Sequence, residues 1–160
     1  MAFSKIQLKD PSLLVEKTYI NGEWLDSVSE KTFNVYDPAT GAHIGKCPEC
    51  TPEDAQNAIE AAAAALPAWR SKSGRERGRI LRRWYDLMIE NKDDLTTLIT
   101  FENGKAKADA AGEVLFAASF LEWFSEEAAR VYGDVIPHSN SAFRVSVVKE
   151  PVGVCGLITP

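Results

Sequence analysis

At 160 residues, 45% hydrophobic and 26% charged, the chain reads as a single globular unit and not as a disordered one. A formal net charge of −5 argues against a general nucleic-acid or anionic-membrane binder, and no apolar run approaches the length of a membrane span, so neither partner is expected. Three cysteines, an odd number in an acidic chain of this size, point to reduced thiols in a cytoplasmic setting.

Met1 to Lys17 is a polar arm with Leu8, Leu13 and Leu14 as docking points. Its first ten residues carry Lys5 and Lys9 but no hydrophobic core, so no targeting peptide is expected. Asn21-Gly22 between apolar residues of Tyr19–Leu25 is a hairpin signal, because both turn positions favour residues that accept positive φ. Thr32–Tyr36 leads into a turn, Asp37-Pro38-Ala39-Thr40-Gly41, and the chain returns through His43–Cys47. Together these segments predict a small antiparallel layer.

Helices follow. Thr51 caps a start with Pro52 at the first position and Glu53 and Asp54 in the first turn. Ala55, Ile59, Ala62 and Leu66 form its apolar stripe, and Pro67 is expected to end it. Ser73 and Glu76 form a capping box. The helix behind it is expected to bury Ile80, Leu81, Trp84, Leu87 and Met88 and to expose Arg75, Arg79, Arg82 and Arg83. Asp93–Glu102 predicts a third helix with Leu95, Leu98 and Ile99 inward and Gly104 as its stop. The longest runs from about Ala106 to Val131, with Gly133 at its end. Val114–Phe124 is apolar nearly all round, the mark of an enclosed helix. Glu126 and Arg130 stand i,i+4 in its last turns.

Two strands close the chain. Ala142–Lys149 alternates as a strand with one wet face. Val152–Ile158 is an uncharged apolar run between Pro151 and Pro160, which predicts a strand buried on both faces. Gly153 and Gly156 within it suggest close approach by another backbone or a ligand. Such a strand normally begins a sheet, so the order of hairpins, helices and strands reads as the front part of a larger α/β enzyme.

Few residues announce chemistry. Cys47-Pro-Glu-Cys50 lies between a strand and a helix cap, where a thioredoxin-like pair would sit. A zinc site would need two further ligands, and the chain has only Cys155, His43 and His138 to offer. The pair therefore reads as incidental surface thiols, with a metal or redox module as the alternative, and no metal ligands are assigned. The arginines between 75 and 83 read as a solvated helix face. Phe116, Phe120, Trp123 and Phe124 are either core or one wall of an apolar tunnel to a substrate. Gly153, Gly156, Thr159 and Pro160 lie toward the carboxyl end of a strand, where open α/β sheets hold ligands, but no glycine-rich phosphate motif names a cofactor.

Tyr19-Ile-Asn-Gly-Glu-Trp-Leu25, Val35-Tyr-Asp-Pro-Ala-Thr-Gly41, Thr100-Phe-Glu-Asn-Gly-Lys105 and Glu150-Pro-Val-Gly-Val-Cys-Gly-Leu-Ile-Thr-Pro160 resemble successive landmarks of the NAD(P)-dependent aldehyde dehydrogenase superfamily. Ala117–Glu127, Val131–Pro137 and the Leu8…Asp10…Leu13 arm are similar to succinate-semialdehyde dehydrogenases in particular. The resemblance implies an α/β fold, the N-terminal fragment of the aldehyde dehydrogenase fold. It divides into an arm (1–17), a hairpin layer with helices (18–137), an oligomerisation-arm strand (138–151) and the first strand of a Rossmann-like cofactor domain (152–160). It implies oxidation of succinate semialdehyde to succinate with NAD or NADP, a step of GABA degradation.

In the family the chain continues Trp-Asn-Phe-Pro after Pro160, and that asparagine stabilises the oxyanion formed when a cysteine attacks the aldehyde. The nucleophilic cysteine, the glutamate base and the phosphate- and ribose-binding residues come later still. No catalytic residue is therefore assigned here, and none of Cys47, Cys50 and Cys155 matches the nucleophile. What carries over is the strand end Ile158, Thr159 and Pro160 bordering the cofactor cleft, and Phe116 and Phe120 lining the aldehyde tunnel. Residues 142–149 correspond to an arm that pairs subunits of a homo-oligomer. Glu102 and the Val35 carbonyl lie near a structural cation site of some relatives. Ala106 departs from the family's frequent proline. By itself the 160-residue chain is expected to be inactive, with weak or no cofactor binding. An alternative of a different class is a truncated, non-catalytic product that associates with full-length subunits through its strand edges.

Overall fold

The first hairpin forms as its turn dictates. In the computed structural model, which describes residues 6–159, Asn21 and Gly22 both take positive φ, 54° and 86°. They join β1 (Thr18–Ile20) to β2 (Glu23–Leu25) with Tyr19 opposite Trp24, their rings 4.9 Å apart. Met1–Lys5 of the arm and Pro160 lie outside the described residues. A second hairpin pairs β3 (Thr32–Tyr36) with β4 (His43–Pro48), with a register shift at Val35/Tyr36. Its turn is held by Asp37, which accepts from the Ala39 amide at 2.8 Å and the Thr40 hydroxyl at 2.6 Å.

A third hairpin joins β5 (Asp134–Ile136) to β6 (Val145–Val147). β5 has no counterpart in the sequence-based expectation, and β6 is shorter than the expected 142–149. All strand pairing among the described residues is antiparallel and two-stranded.

Helix α1 (Pro52–Arg70) begins in a reciprocal box. The Asp54 amide donates to Thr51 Oγ1 at 3.4 Å, and the Thr51 amide donates to the Asp54 carboxylate at 2.7 Å. The same carboxylate takes the Val28 amide and the Ser27 hydroxyl, so the cap also fastens the loop after β2. Contrary to expectation, α1 passes through Pro67 and ends three residues later. A proline costs the bond its own nitrogen would make, one turn back, but not the bonds of residues after it; the Ser71 amide still reaches the Pro67 carbonyl at 3.1 Å.

Helix α2 (Gly74–Glu90) has the Ser73–Glu76 capping box, but its expected buried stripe is corrected by the structure. Ile80, Trp84 and Leu87 are exposed, Trp84 by 57%. The packed side runs instead through Gly74, Gly78, Leu81, Tyr85 and Met88. Helices approach most closely where side chains are smallest; Gly78 sets the contact with α4 (Lys107–Glu127) at Ser125, and Gly74 meets Ala128 and Ala129 just past its end.

Helix α3 (Lys92–Asn103) also packs on α4 and ends at Gly104 with φ 74°, as expected. Buried Asp94 accepts the Lys9 and Asp10 amides, each at 2.9 Å, and pins the arm to α3.

Helix α4 stops at Glu127, short of Val131, and Arg130 pairs with Glu127 at 2.9 Å where Glu126 was expected. Its buried positions are the small Ala110, Val114 and Ala118. The terminal residues 152–159 form no strand, and Val152, Leu157 and Ile158 are almost wholly exposed. A strand buried on both faces needs paired neighbours and a covering layer on each side, and the described residues supply neither.

Candidate functional site: an aromatic helix face and a free strand end

Helical period places Phe116, Phe120, Trp123 and Phe124 along one side of α4, roughly opposite Ala110, Val114 and Ala118. The small side is consumed by α2 and α3, so the aromatic side faces out. Phe116 is 67% exposed, which overturns the expectation of an enclosed helix. Phe116 and Phe120 meet edge to face, 4.9 Å between centroids and 82° between planes. Beyond them Ser119, Phe120, Glu122, Trp123, Phe124 and Glu126 line an open groove of about 550 Å³.

This face supplies shape and apolar surface but no reactive group. The Ser119 hydroxyl donates to the Phe116 carbonyl at 2.7 Å, and Glu122 pairs with Arg82 at 3.4 Å. Glu113 pairs with Lys105. The face can act as a wall for an apolar or extended substrate, with the chemistry coming from elsewhere.

The other expected site residues stand apart. Ile158 is fully exposed among the described residues; Thr159 is also exposed, and Pro160 lies outside the described residues. The structure thus brings Phe116 and Phe120 together and leaves Ile158 and Thr159 on a free segment. Among the described residues, no backbone hydrogen bond engages 149–159. Residues 151–159 carry no charged group and no glycine-rich cradle, so this stretch can offer neutral groups to the border of a dinucleotide but nothing that holds its phosphates.

The thiols do not form a module. Cys47, Cys50 and Cys155 are all free. Burial pushes the Cys47 thiol up, and the nearby Glu102 and Glu16 carboxylates and Cys50 add to it. An activated nucleophile or redox thiol needs the opposite shift. Among the described residues no group of three or more His, Cys, Asp or Glu side chains is arranged to hold a metal ion. His43 contacts Asn34 at 3.3 Å, and His138 bonds to Asn140.

Sequence reasoning missed the anchors Glu16, Asp94 and the Arg70–Glu150 pair, because each links residues at least 30 positions apart. For Asp54 there was a signal, the Thr51-x-x-Asp spacing.

The profile of the aldehyde dehydrogenase family matches residues 24–160. The chain belongs to the aldehyde dehydrogenase family. A glutarate-semialdehyde dehydrogenase of Pseudomonas putida is 52% identical over 97% of this chain and 32% of its own length. A succinate-semialdehyde dehydrogenase [NADP(+)] of Escherichia coli is 46% identical over the same shares. The human mitochondrial succinate-semialdehyde dehydrogenase is 48% identical over 93% of this chain and 28% of its own length.

The chain thus spans about a third of these relatives, over the N-terminal part of their length. The crystal structure of a succinate-semialdehyde dehydrogenase from Burkholderia pseudomallei superposes with a TM-score of 0.89 at 52% identity, covering 92% of this chain and 31% of that one. The mixed helix–strand body accordingly has the aldehyde dehydrogenase fold over this stretch.

Proposed function

We propose that these 160 residues are the N-terminal third of an NAD(P)-dependent dehydrogenase that oxidises a short semialdehyde bearing a carboxylate, succinate semialdehyde first among them. The observation that carries this is the near-complete match of the chain, at 46–52% identity, to enzymes named for succinate and glutarate semialdehydes. The exposed aromatic face of α4 supports it, because Phe116 and Phe120 are free to line an aldehyde tunnel. Ile158, Thr159 and Pro160 would border the dinucleotide. The dinucleotide, when bound, accepts the hydride, and a Staphylococcus aureus betaine aldehyde dehydrogenase structure in complex with NAD+ shares this fold at a TM-score of 0.82 and 28% identity. Residues 142–149 would join subunits of a homo-oligomer, and the four-part division at 17, 137 and 151 belongs to the same reading.

Glutarate semialdehyde is the second reading, favoured by relatives of that name at 51% and 52% identity. No helix among the described residues is long and apolar enough to cross a membrane. We place the enzyme in the cytoplasm; the rodent and human relatives are named mitochondrial.

The test is steady-state kinetics of the protein at its relatives' length, with each semialdehyde and with NAD+ or NADP+. Turnover of succinate semialdehyde with the higher kcat/KM is expected, and none from residues 1–160 alone. Oxidation of neither semialdehyde would overturn the reading. Co-purification of the 160-residue chain with the longer enzyme would support the associating role instead.

A further inference from the structure

We infer that Arg70 is a positioning residue for the dinucleotide: through Glu150 it fixes where the segment leading toward Ile158, Thr159 and Pro160 leaves the body of the protein. The inference rests on the reading of those three residues as the border of the cofactor cleft. An open groove of about 470 Å³ separates the end of α1 from the start of α2 and from residues 148–151, with Trp69, Arg70, Arg77, Lys149, Glu150 and Pro151 on its walls. Arg70 Nη2 donates to Glu150 Oε1 at 3.1 Å across 80 positions of sequence.

Among the described residues this is the one hydrogen bond from 149–159 to the rest of the chain. Among the described residues Glu150 is also the only acid on the groove's walls, which carry the cations Arg70, Arg77 and Lys149. Arg77 is partly occupied by the Lys72 carbonyl, which leaves Arg70 as the partner that holds Glu150. Pro151 follows at once. Its ring fixes its own φ and restricts Glu150 to extended backbone, so the Arg70 contact and Pro151 together fix the point and direction at which the segment leaves the body.

The pair is exposed on both sides, and exposed pairs contribute weakly. The expected effect is correspondingly small and selective. In the protein at its relatives' length, Arg70→Ala raises KM for NAD(P)+ about two- to fivefold and leaves KM for the aldehyde and the melting temperature unchanged. Glu150→Ala does the same, Arg70→Lys recovers part of the loss, and the exchange Arg70→Glu with Glu150→Arg recovers most of it.

Thr159→Trp, read alongside, reports on the border itself. If Thr159→Trp raises the dinucleotide KM and Arg70→Ala does not, positioning by Arg70 is wrong while the site reading survives. If neither variant moves it, the reading of residues 158–160 falls and the inference with it. A rise in both Michaelis constants with a lowered melting temperature would reduce Arg70 to a structural residue.

Discussion

Gly78 sits under the carbonyl of Ser125: a Cβ added to Gly78 would stand 2.5 Å from that oxygen, closer than real Cβ atoms come. Gly74 is tighter still, with the Ala128 carbonyl oxygen 2.2 Å from the same construction. Alanine in a helix interior ordinarily gains about 0.5–1 kcal/mol over glycine. Here the clash outweighs that gain, because forcing a packed contact apart costs about 1–3 kcal/mol. Gly78→Ala is therefore expected to destabilise the protein, with Gly74→Ala at least as severe. Urea denaturation measures it, and an unchanged midpoint would show that α2 and α4 can separate at no cost.

The Asp54 carboxylate, chiefly through the Thr51 and Val28 amides, titrates at about 2 in place of 3.8. A depressed carboxylate stabilises the fold above its ordinary pKa, and that contribution disappears as pH falls through the folded value. The melting temperature is expected to decline between about pH 4 and pH 2. Asp54→Asn is expected to lie lower at neutral pH and to show a shallower decline over the same interval. Parallel slopes for the two proteins would remove Asp54 from the acid limb.

Thr96 is 2% exposed, and among the described residues its hydroxyl finds no hydrogen-bond partner; the Thr100 hydroxyl is likewise buried and without one. A buried donor without a partner loses its water for nothing in return. Thr96→Val keeps the shape and drops the hydroxyl, so a gain of up to about 1 kcal/mol is expected in the same urea experiment. A loss of that size would mean that the hydroxyl is paired in solution.

The three thiols differ in accessibility and charge environment. Cys50 and Cys155 are exposed, while Cys47 is half-buried and its thiol is pushed up by burial, Glu102 and Glu16. With iodoacetamide at pH 8, alkylation of Cys50 and Cys155 is expected well before Cys47, read by peptide mass spectrometry. Glu102→Gln is expected to speed Cys47. Fastest labelling at Cys47 would reopen the redox reading of the Cys47–Cys50 pair.

Features decided within a few residues were legible in the sequence. Asn21-Gly22 specifies its turn, Thr51 and Ser73 bond to amides three positions on, and Gly104 takes the left-handed cap. The family landmarks were legible for the same reason, since they are runs of adjacent residues. Tertiary structure alone decided which stripe of α2 is packed, because two apolar stripes compete and only the glycine side lets α4 approach. It also decided that Phe116 and Phe120 face outward and that 152–159 forms no strand. Periodicity records how apolar a segment is; whether that surface is buried depends on a neighbouring layer, and layers are assembled from residues far apart in the chain.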